Sequence, residues 1–193
     1  MNYFIVAATG KKRHGKTYFC NALEHEIDKY CQGAVTVCRI NFKDELVEIA
    51  EMLDWNGVKD KRGRRFLQLL GTDCVRECID LNFWVRKWFR RFECELGQNR
   101  AIGKIILVDD VRFDNEAYMV KALGGQVIEI ITPKRLSSDT HSSENGIDRH
   151  LIDSSFELEI GFDYISAAAE QYFKQHFIDT LIIQEMMQKE TLD

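Results

Sequence analysis

Eight consecutive residues, Gly10-Lys11-Lys12-Arg13-His14-Gly15-Lys16-Thr17, fit the pattern G-x-x-x-x-G-K-[ST] at every fixed position. The chemistry of that pattern is phosphate binding. The glycines let backbone N–H groups turn inward around phosphate oxygens, and a helix N-terminus behind them adds the positive end of its dipole. Lys16 can then reach the β- and γ-phosphates of a nucleoside triphosphate, and the Thr17 hydroxyl can ligate Mg2+. A second cluster, Asp109-Asp110-Val111-Arg112, follows the unbroken apolar run Ile105-Ile106-Leu107-Val108. Carboxylates at the C-terminal end of a buried strand face the crevice in which open α/β sheets bind ligands. One of the two can orient Mg2+ or its water, and Arg112 is placed to reach a phosphoryl group in transit. The spacing leaves open which aspartate serves.

Such a loop works only between a strand and a helix, and the flanking residues supply both. Residues 3–8 read as a buried strand; from Gly15 onward Phe19, Leu23, Ile27 and Tyr30 recur at helical spacing. Strands follow at 34–40, 105–108 and 127–131, and a short one carries Phe156, Leu158 and Ile160 in alternation. Helices are predicted at 43–54 and 83–96, at 115–123 where Gly124-Gly125 stops the helix and Asp114 or Asn115 caps its start, and in the tail from about 164. The basic stretch 59–65 reads as a loop or helix start. Trp84, Trp88 and Phe92 share one helix face and are read as core rather than as a stacking platform. The polar stretch 133–150 is the candidate mobile lid, in which His141 is read as an incidental surface residue. Strands alternating with helices imply an α/β fold, a parallel sheet with helices on both faces.

Bulk properties narrow the function classes. A chain of 193 residues with 45% apolar and 30% charged residues suits one compact domain over 1–193. The first six residues read as a strand, not a signal peptide, and no apolar run is long enough to span a membrane, which together point to the cytoplasm. Six cysteines (Cys20, Cys31, Cys38, Cys74, Cys78 and Cys94) form no C-x-x-C pair and are read as reduced, core-filling thiols, and no His or Cys cluster in the sequence completes a zinc set. Net charge is −5, but residues 1–100 hold 18 Lys/Arg against 14 Asp/Glu while 101–193 hold 8 against 17. A positive patch on an acidic protein suits small anionic ligands better than a long polyanion.

Several blocks carry a resemblance. Phe66-Leu67-Gln68-Leu69-Leu70-Gly71-Thr72-Asp73 with Arg76, Phe83-Trp84-Val85, Asp110-Val111-Arg112-Phe113-Asp114-Asn115-Glu116-Ala117, Gly124-Gly125-Gln126-Val127-Ile128 and His141-Ser142-Ser143-Glu144 join the P-loop. From 3 to about 173 the chain resembles the bacteriophage deoxynucleoside monophosphate kinases. The L-Q-x-x-G-T and D-V-R-F-x-N-E blocks are far more specific than the P-loop. The resemblance implies a nucleoside-monophosphate-kinase-like three-layer sandwich with a five-stranded parallel sheet and a short lid over 133–150. It implies ATP on Gly10, Lys11, Arg13, His14, Gly15, Lys16, Thr17 and Tyr18, with catalysis by Lys16, Arg112 and Asp110 and Mg2+ on Thr17 and Asp110. The acceptor falls to a helical region at about 42–96, on Gln68, Thr72, Arg76, Trp84 and Arg86, with Glu144 from the lid. Asn115 and Glu116 would brace the Arg112 loop, and Arg135 and Arg149 are candidate lid arginines. A homodimer, and action in a host cytoplasm, are implied by the resemblance alone. Many phage members carry Asp after the P-loop lysine; Thr17 stands there in this chain, which favours direct Mg2+ ligation by its hydroxyl.

Two rivals remain in view. Animal-type phosphomevalonate kinases are distantly similar around the P-loop, the D-x-R block and the S-E pair, but Phe83-Trp84 and the complete L-Q-x-x-G-T block favour a base-bearing acceptor. A nucleotide-dependent nucleic-acid-binding protein would use the basic stretches 59–65 and 86–91, against which the acidic net charge weighs.

Overall fold

The most apolar segments form the centre of the sheet. In the computed structural model, which describes residues 3–98, 103–133, 145–159 and 162–178, β1 (Tyr3–Thr9), β3 (Gly103–Val111) and β4 (Gln126–Ile131) lie side by side. β2 (Val35–Arg39) and β5 (Ser154–Glu157) are the edges, in the order β2-β3-β1-β4-β5 with every neighbouring pair parallel. All nine residues of β3 are buried, as expected of a strand covered on both faces. The helices are α1 (Lys16–Cys31), α2 (Asp44–Met52), α3 (Lys61–Gln68), α4 (Phe83–Gly97), α5 (Asp114–Ala122) and α6 (Phe162–Phe173). A π-helical segment, Leu69–Arg76, continues α3, and a second one, Lys174–Ile178, continues α6.

Side chains alternate along each central strand and so feed two cores. Val6, Ala8, Ile105, Leu107, Ile128 and Ile130 pack against Phe19, Leu23 and Ile27 of α1 and Tyr172 and Phe173 of α6. Ile5, Ala7, Ile106, Val108 and Val127 pack on the other face against Val85, Trp88 and Phe92 of α4 and Ala117 and Val120 of α5. This is the α/β sandwich expected from the sequence. Trp88 stacks between Phe42 (5.0 Å between centroids) and Phe92 (5.4 Å), and its Nε1 donates to the Ile40 carbonyl (2.7 Å). That bond fixes the junction between β2 and α2, which proves to be part of the site.

Three expectations need correction. Cys20 and Cys31 are buried and Cys38 half-buried, but Cys74, Cys78 and Cys94 are exposed, because their helices turn that face to solvent. Neither Asp114 nor Asn115 caps α5. Phe113 is the cap residue, and Glu116 reaches back to accept its N–H (3.2 Å). The last strand is 154–157, earlier than the alternation of Phe156, Leu158 and Ile160 suggests. Pairing to β4 extends only to the Leu158 N–H on the Ile131 carbonyl (2.7 Å), and residue 160 lies outside the described residues.

Candidate active site

The loop between β1 and α1 is shaped by two glycines in the left-handed region. Gly10 has φ 127°, and a Cβ there would collide with the Ile130 carbonyl oxygen, so only glycine lets the loop pass β4. Gly15, φ 98°, immediately precedes α1, whose first turn holds no acidic residue and no capping side chain. The amide end of α1 is thus presented to the loop rather than satisfied locally. Lys16 is 8% exposed and folds back over the loop, its Nζ donating to the carbonyls of Gly10 (2.5 Å) and Lys11 (3.0 Å). His14 points the other way. Its Nδ1 accepts the Thr132 N–H (3.2 Å) and its carbonyl accepts the Thr132 hydroxyl (3.0 Å), tying the loop to β4.

The two aspartates at the end of β3 have different environments. β1 pairs with β3 at Ala7–Val108 and again at Thr9–Val111, so β3 carries one extra residue in that interval. Such an irregularity re-aims side chains. Here it lets the consecutive Asp109 and Asp110 both face the cavity instead of opposite sheet faces. Asp110 accepts the backbone N–H groups of Phe42 (3.0 Å) and Lys43 (2.9 Å), one on each carboxylate oxygen. Burial raises its pKa, with Asp109 adding to that and Lys43 and the two amides opposing it. Asp109 bonds the Thr17 hydroxyl and sits 2.6 Å from Lys43 Nζ and 4.0 Å from the Arg39 guanidinium. Burial works against its charge, but these three neighbours outweigh burial and hold its carboxyl below the usual range. The structure therefore brings Asp109, not Asp110, to Thr17.

A cavity of about 470 Å3 opens from this point, within the usual range of small-molecule sites. The P-loop side is formed by Lys12, Arg13, Gly15, Lys16, Thr17 and Tyr18, and the far side by Gln68, Gly71, Thr72, Arg76 and Trp84. Arg112 and Phe113 lie on its wall. Trp84 is 3% exposed and its Nε1 donates to the Gly71 carbonyl (2.7 Å), so the ring serves both as core and as cavity wall. Arg76, 6% exposed, pairs with the Glu116 carboxylate, and its guanidinium lies 4.0 Å from the centroid of the Phe113 ring. Glu116 also accepts the backbone N–H of Arg112 (2.8 Å). Burial pushes the Glu116 carboxyl up to about 7, against the pull of Arg76, and burial likewise lowers Arg76. Eight Lys and Arg side chains line the cavity against three carboxylates, in a chain whose net charge is −5.

The family model for deoxynucleotide monophosphate kinases matches residues 40–156, more than half of the chain. The chain belongs to that family. The match runs from the end of β2 through the π-helical segment and β3 to β5, and begins after the P-loop. The deoxynucleotide monophosphate kinase of Enterobacteria phage T4 is 31% identical over 93 residues, 48% of this chain and 37% of that protein. The corresponding kinase of Escherichia phage RB69 is 30% identical over 84 residues, 44% of this chain and 33% of that protein. A protein of Acanthamoeba polyphaga mimivirus is 35% identical over 91 residues, 42% of this chain and 45% of its own length. The matched part of this chain thus spans less than half the length of each relative.

In this deoxynucleotide monophosphate kinase family member, most of the expected site residues meet at one cavity. Lys16, Thr17, Gly15, Arg13, Tyr18, Gln68, Thr72, Arg76, Trp84, Asp110 and Arg112 all line it. Gly10, Lys11 and His14 shape the loop from behind and do not line it. Arg86 does not reach it either. It lies on the outer face of α4, where its guanidinium pairs with Asp80, because the inner face of that helix is taken by Trp84, Val85 and Trp88. Arg149 is exposed in the turn Arg149–Leu151, away from the cavity. Glu144, Arg135 and His141 lie outside the described residues, as does most of the predicted lid. Sequence reasoning missed Phe42, Lys43, Leu46, Val47, Lys59, Arg64 and Leu67 as wall residues. One signal was available for Lys43. It is the cap residue just before α2, where the helix dipole disfavours a cation.

Hard-cation chemistry fits this donor set. Among the described residues no three His, Cys, Asp or Glu side chains converge, so a metal ion held here would complete its shell with phosphate, water or other oxygens. That is the habit of Mg2+, which takes one or two protein oxygens plus phosphate and water. The Thr17 hydroxyl and the Asp109 carboxylate are two such oxygens, joined by a hydrogen bond.

Proposed function

We propose that this protein transfers the γ-phosphoryl group of ATP to the 5′-phosphate of a deoxynucleoside monophosphate, giving ADP and a deoxynucleoside diphosphate. The observation that carries the reading is the single cavity joining the P-loop to the wall formed by Gln68, Thr72, Arg76 and Trp84, with Asp109 and Arg112 between them. Donor and acceptor phosphates bound at those two sides would meet at Arg112. The new bond forms between the γ-phosphorus and an acceptor phosphate oxygen, while the bond to the β-phosphate oxygen breaks and its electron pair leaves with ADP. A phosphate monoester oxygen is largely unprotonated at neutral pH, so no general base is required. The work left to the protein is alignment and charge neutralisation.

The roles follow from positions. Lys16 would exchange the carbonyls of Gly10 and Lys11 for β- and γ-phosphate oxygens. Arg112 would follow the charge of the phosphoryl group in transit, and Arg76, braced by Glu116, would hold the acceptor phosphate. Thr17 and Asp109 would hold Mg2+, which when bound neutralises charge on the bridging phosphate oxygens. Asp110, with both oxygens on backbone amides, would instead fix the β2–α2 junction that carries Phe42 and Lys43. Leu46, Val47, Leu67, Trp84 and Phe113 give the cavity flat apolar walls suited to a base and sugar. That favours a nucleotide acceptor over phosphomevalonate. Coupled ADP release with each deoxy- and ribonucleoside monophosphate, and with phosphomevalonate, tests the choice. Turnover with phosphomevalonate and none with any nucleotide would overturn it.

A further inference from the structure

Lys43 stands apart from the residues that the P-loop and the arginines account for. Its backbone is fixed, since its N–H is held by Asp110 Oδ2 (2.9 Å) and its neighbour Phe42 by Oδ1 (3.0 Å). Its four-carbon stem enters the cavity, and its ammonium lies 2.6 Å from Asp109 Oδ1 and 3.9 Å from Asp110 Oδ2. Asp109 is only 6% exposed, and a buried carboxylate left without a counter-charge is costly. The other cation nearby, Arg39, is 4.0 Å away and is itself held by Glu24 through Nε (3.0 Å) and Nη2 (2.7 Å). Lys43 is therefore the direct partner of the charge that Thr17 also contacts.

An ammonium seated on Asp109 Oδ1 neutralises the charge and takes the lone pair that would draw a metal ion, so the two compete for that carboxylate. We propose that Lys43 is a positioning residue that occupies the metal's place at Asp109 while the site lacks nucleotide, and gives up that carboxylate when the metal–nucleotide complex binds. This rests on the reading that Thr17 and Asp109 hold the metal. With its Cα anchored, only the side chain has to move, and the cavity beside it is where the phosphates would lie. The ammonium thus exchanges one anion for another without leaving a charge unpaired. A consequence is that Lys43 competes with free metal, so the ion enters with its triphosphate and not alone.

The test is binding of Mn2+, counted by electron paramagnetic resonance, to the nucleotide-free protein and to its ATP complex. Lys43→Met should bind free Mn2+ on the order of tenfold more tightly than the unmodified chain. Lys43→Arg, which keeps a cation there, should show no such gain. Lys43→Gln replaces Lys43→Met if the latter fails to fold, and the same gain is expected of it. A merely structural lysine would lower the melting temperature of these variants and leave Mn2+ affinity level or weaker, and that result overturns the inference. Asp109→Asn separates the two layers. If it binds Mn-ATP as tightly as the unmodified chain, the metal is not at Asp109 and the underlying reading fails with the inference. If Mn-ATP binding falls in Asp109→Asn while Lys43→Met shows no gain, only the Lys43 inference fails.

Discussion

Glu116 holds two arginines by different atoms, the guanidinium of Arg76 on one oxygen and the backbone N–H of Arg112 on the other. That leaves the Arg112 side chain on the cavity wall with its main chain braced. A planar guanidinium there can bridge donor and acceptor oxygens in a fork that an ammonium cannot copy. Arg112→Lys should lower kcat by on the order of a hundredfold, with modest changes in either substrate's affinity and an unchanged melting temperature. A loss of melting temperature with near-normal kcat would make Arg112 a brace only. Glu116 itself predicts a pH effect. Burial lifts its carboxyl from the ordinary 4.5 to about 7 in the fold, so the folded state binds the extra proton between those values. This group's contribution to stability is complete below about 4.5 and is lost as pH rises through about 7. Glu116→Gln removes it. The unfolding free energy of the unmodified chain minus that of the variant should therefore fall from pH 4.5 to 7, by at most about 1.4 kcal/mol per pH unit. Urea titrations at several pH values read this difference directly, and a flat or rising one contradicts the assignment.

Among the elements, the π-helical segment 69–76 supplies three residues of the cavity wall opposite the P-loop, the side proposed for the acceptor. A π-helical turn is wider than an α-helical one and clusters at functional sites. Here it delivers Gly71, Thr72 and Arg76 to the cavity from eight residues. A Cβ on Gly71 would come within 2.9 Å of Leu46 Cδ2, a flexible side-chain end on the facing helix α2. Gly71→Ala should therefore fold, raise the KM for the nucleoside monophosphate several-fold and leave the KM for ATP level. A rise in the ATP value alone would put the acceptor elsewhere. The sequence made some of this legible and hid the rest for physical reasons. The P-loop, the buried strand β3 and the amphipathic α4 are local patterns of glycine placement, apolar runs and helical spacing, and each formed where the pattern put it. Which aspartate meets Thr17 was hidden, because it depends on one extra residue in β3 opposite β1, a pairing between segments about 100 residues apart. Lys43 was hidden for the same reason, since its carboxylate partner is 66 positions away. The resemblance offered Arg86 as an acceptor residue, but helical rotation turns it outward, onto Asp80.

Over the whole molecule the charge is divided. The cavity is rich in Lys and Arg while the chain as a whole is acidic, a division that should favour small anions over a long polyanion. Raising ionic strength from about 0.01 to about 0.15 M shortens the Debye length from about 30 Å to about 8 Å. Over that range kcat/KM for the monophosphate should fall several-fold with kcat nearly constant, and retention on DNA at the higher salt should be absent. A kcat/KM indifferent to salt would mean that the cavity cations do not steer the acceptor. The proposed transfer is read from its labelled products. The protein is incubated with ATP labelled on the γ-phosphate and each deoxynucleoside monophosphate in turn, with Lys16→Ala as the blank. Label is expected in the β-phosphate of a deoxynucleoside diphosphate with at least one acceptor, and none with Lys16→Ala. Label released only as inorganic phosphate, or transferred as readily by Lys16→Ala, would contradict it.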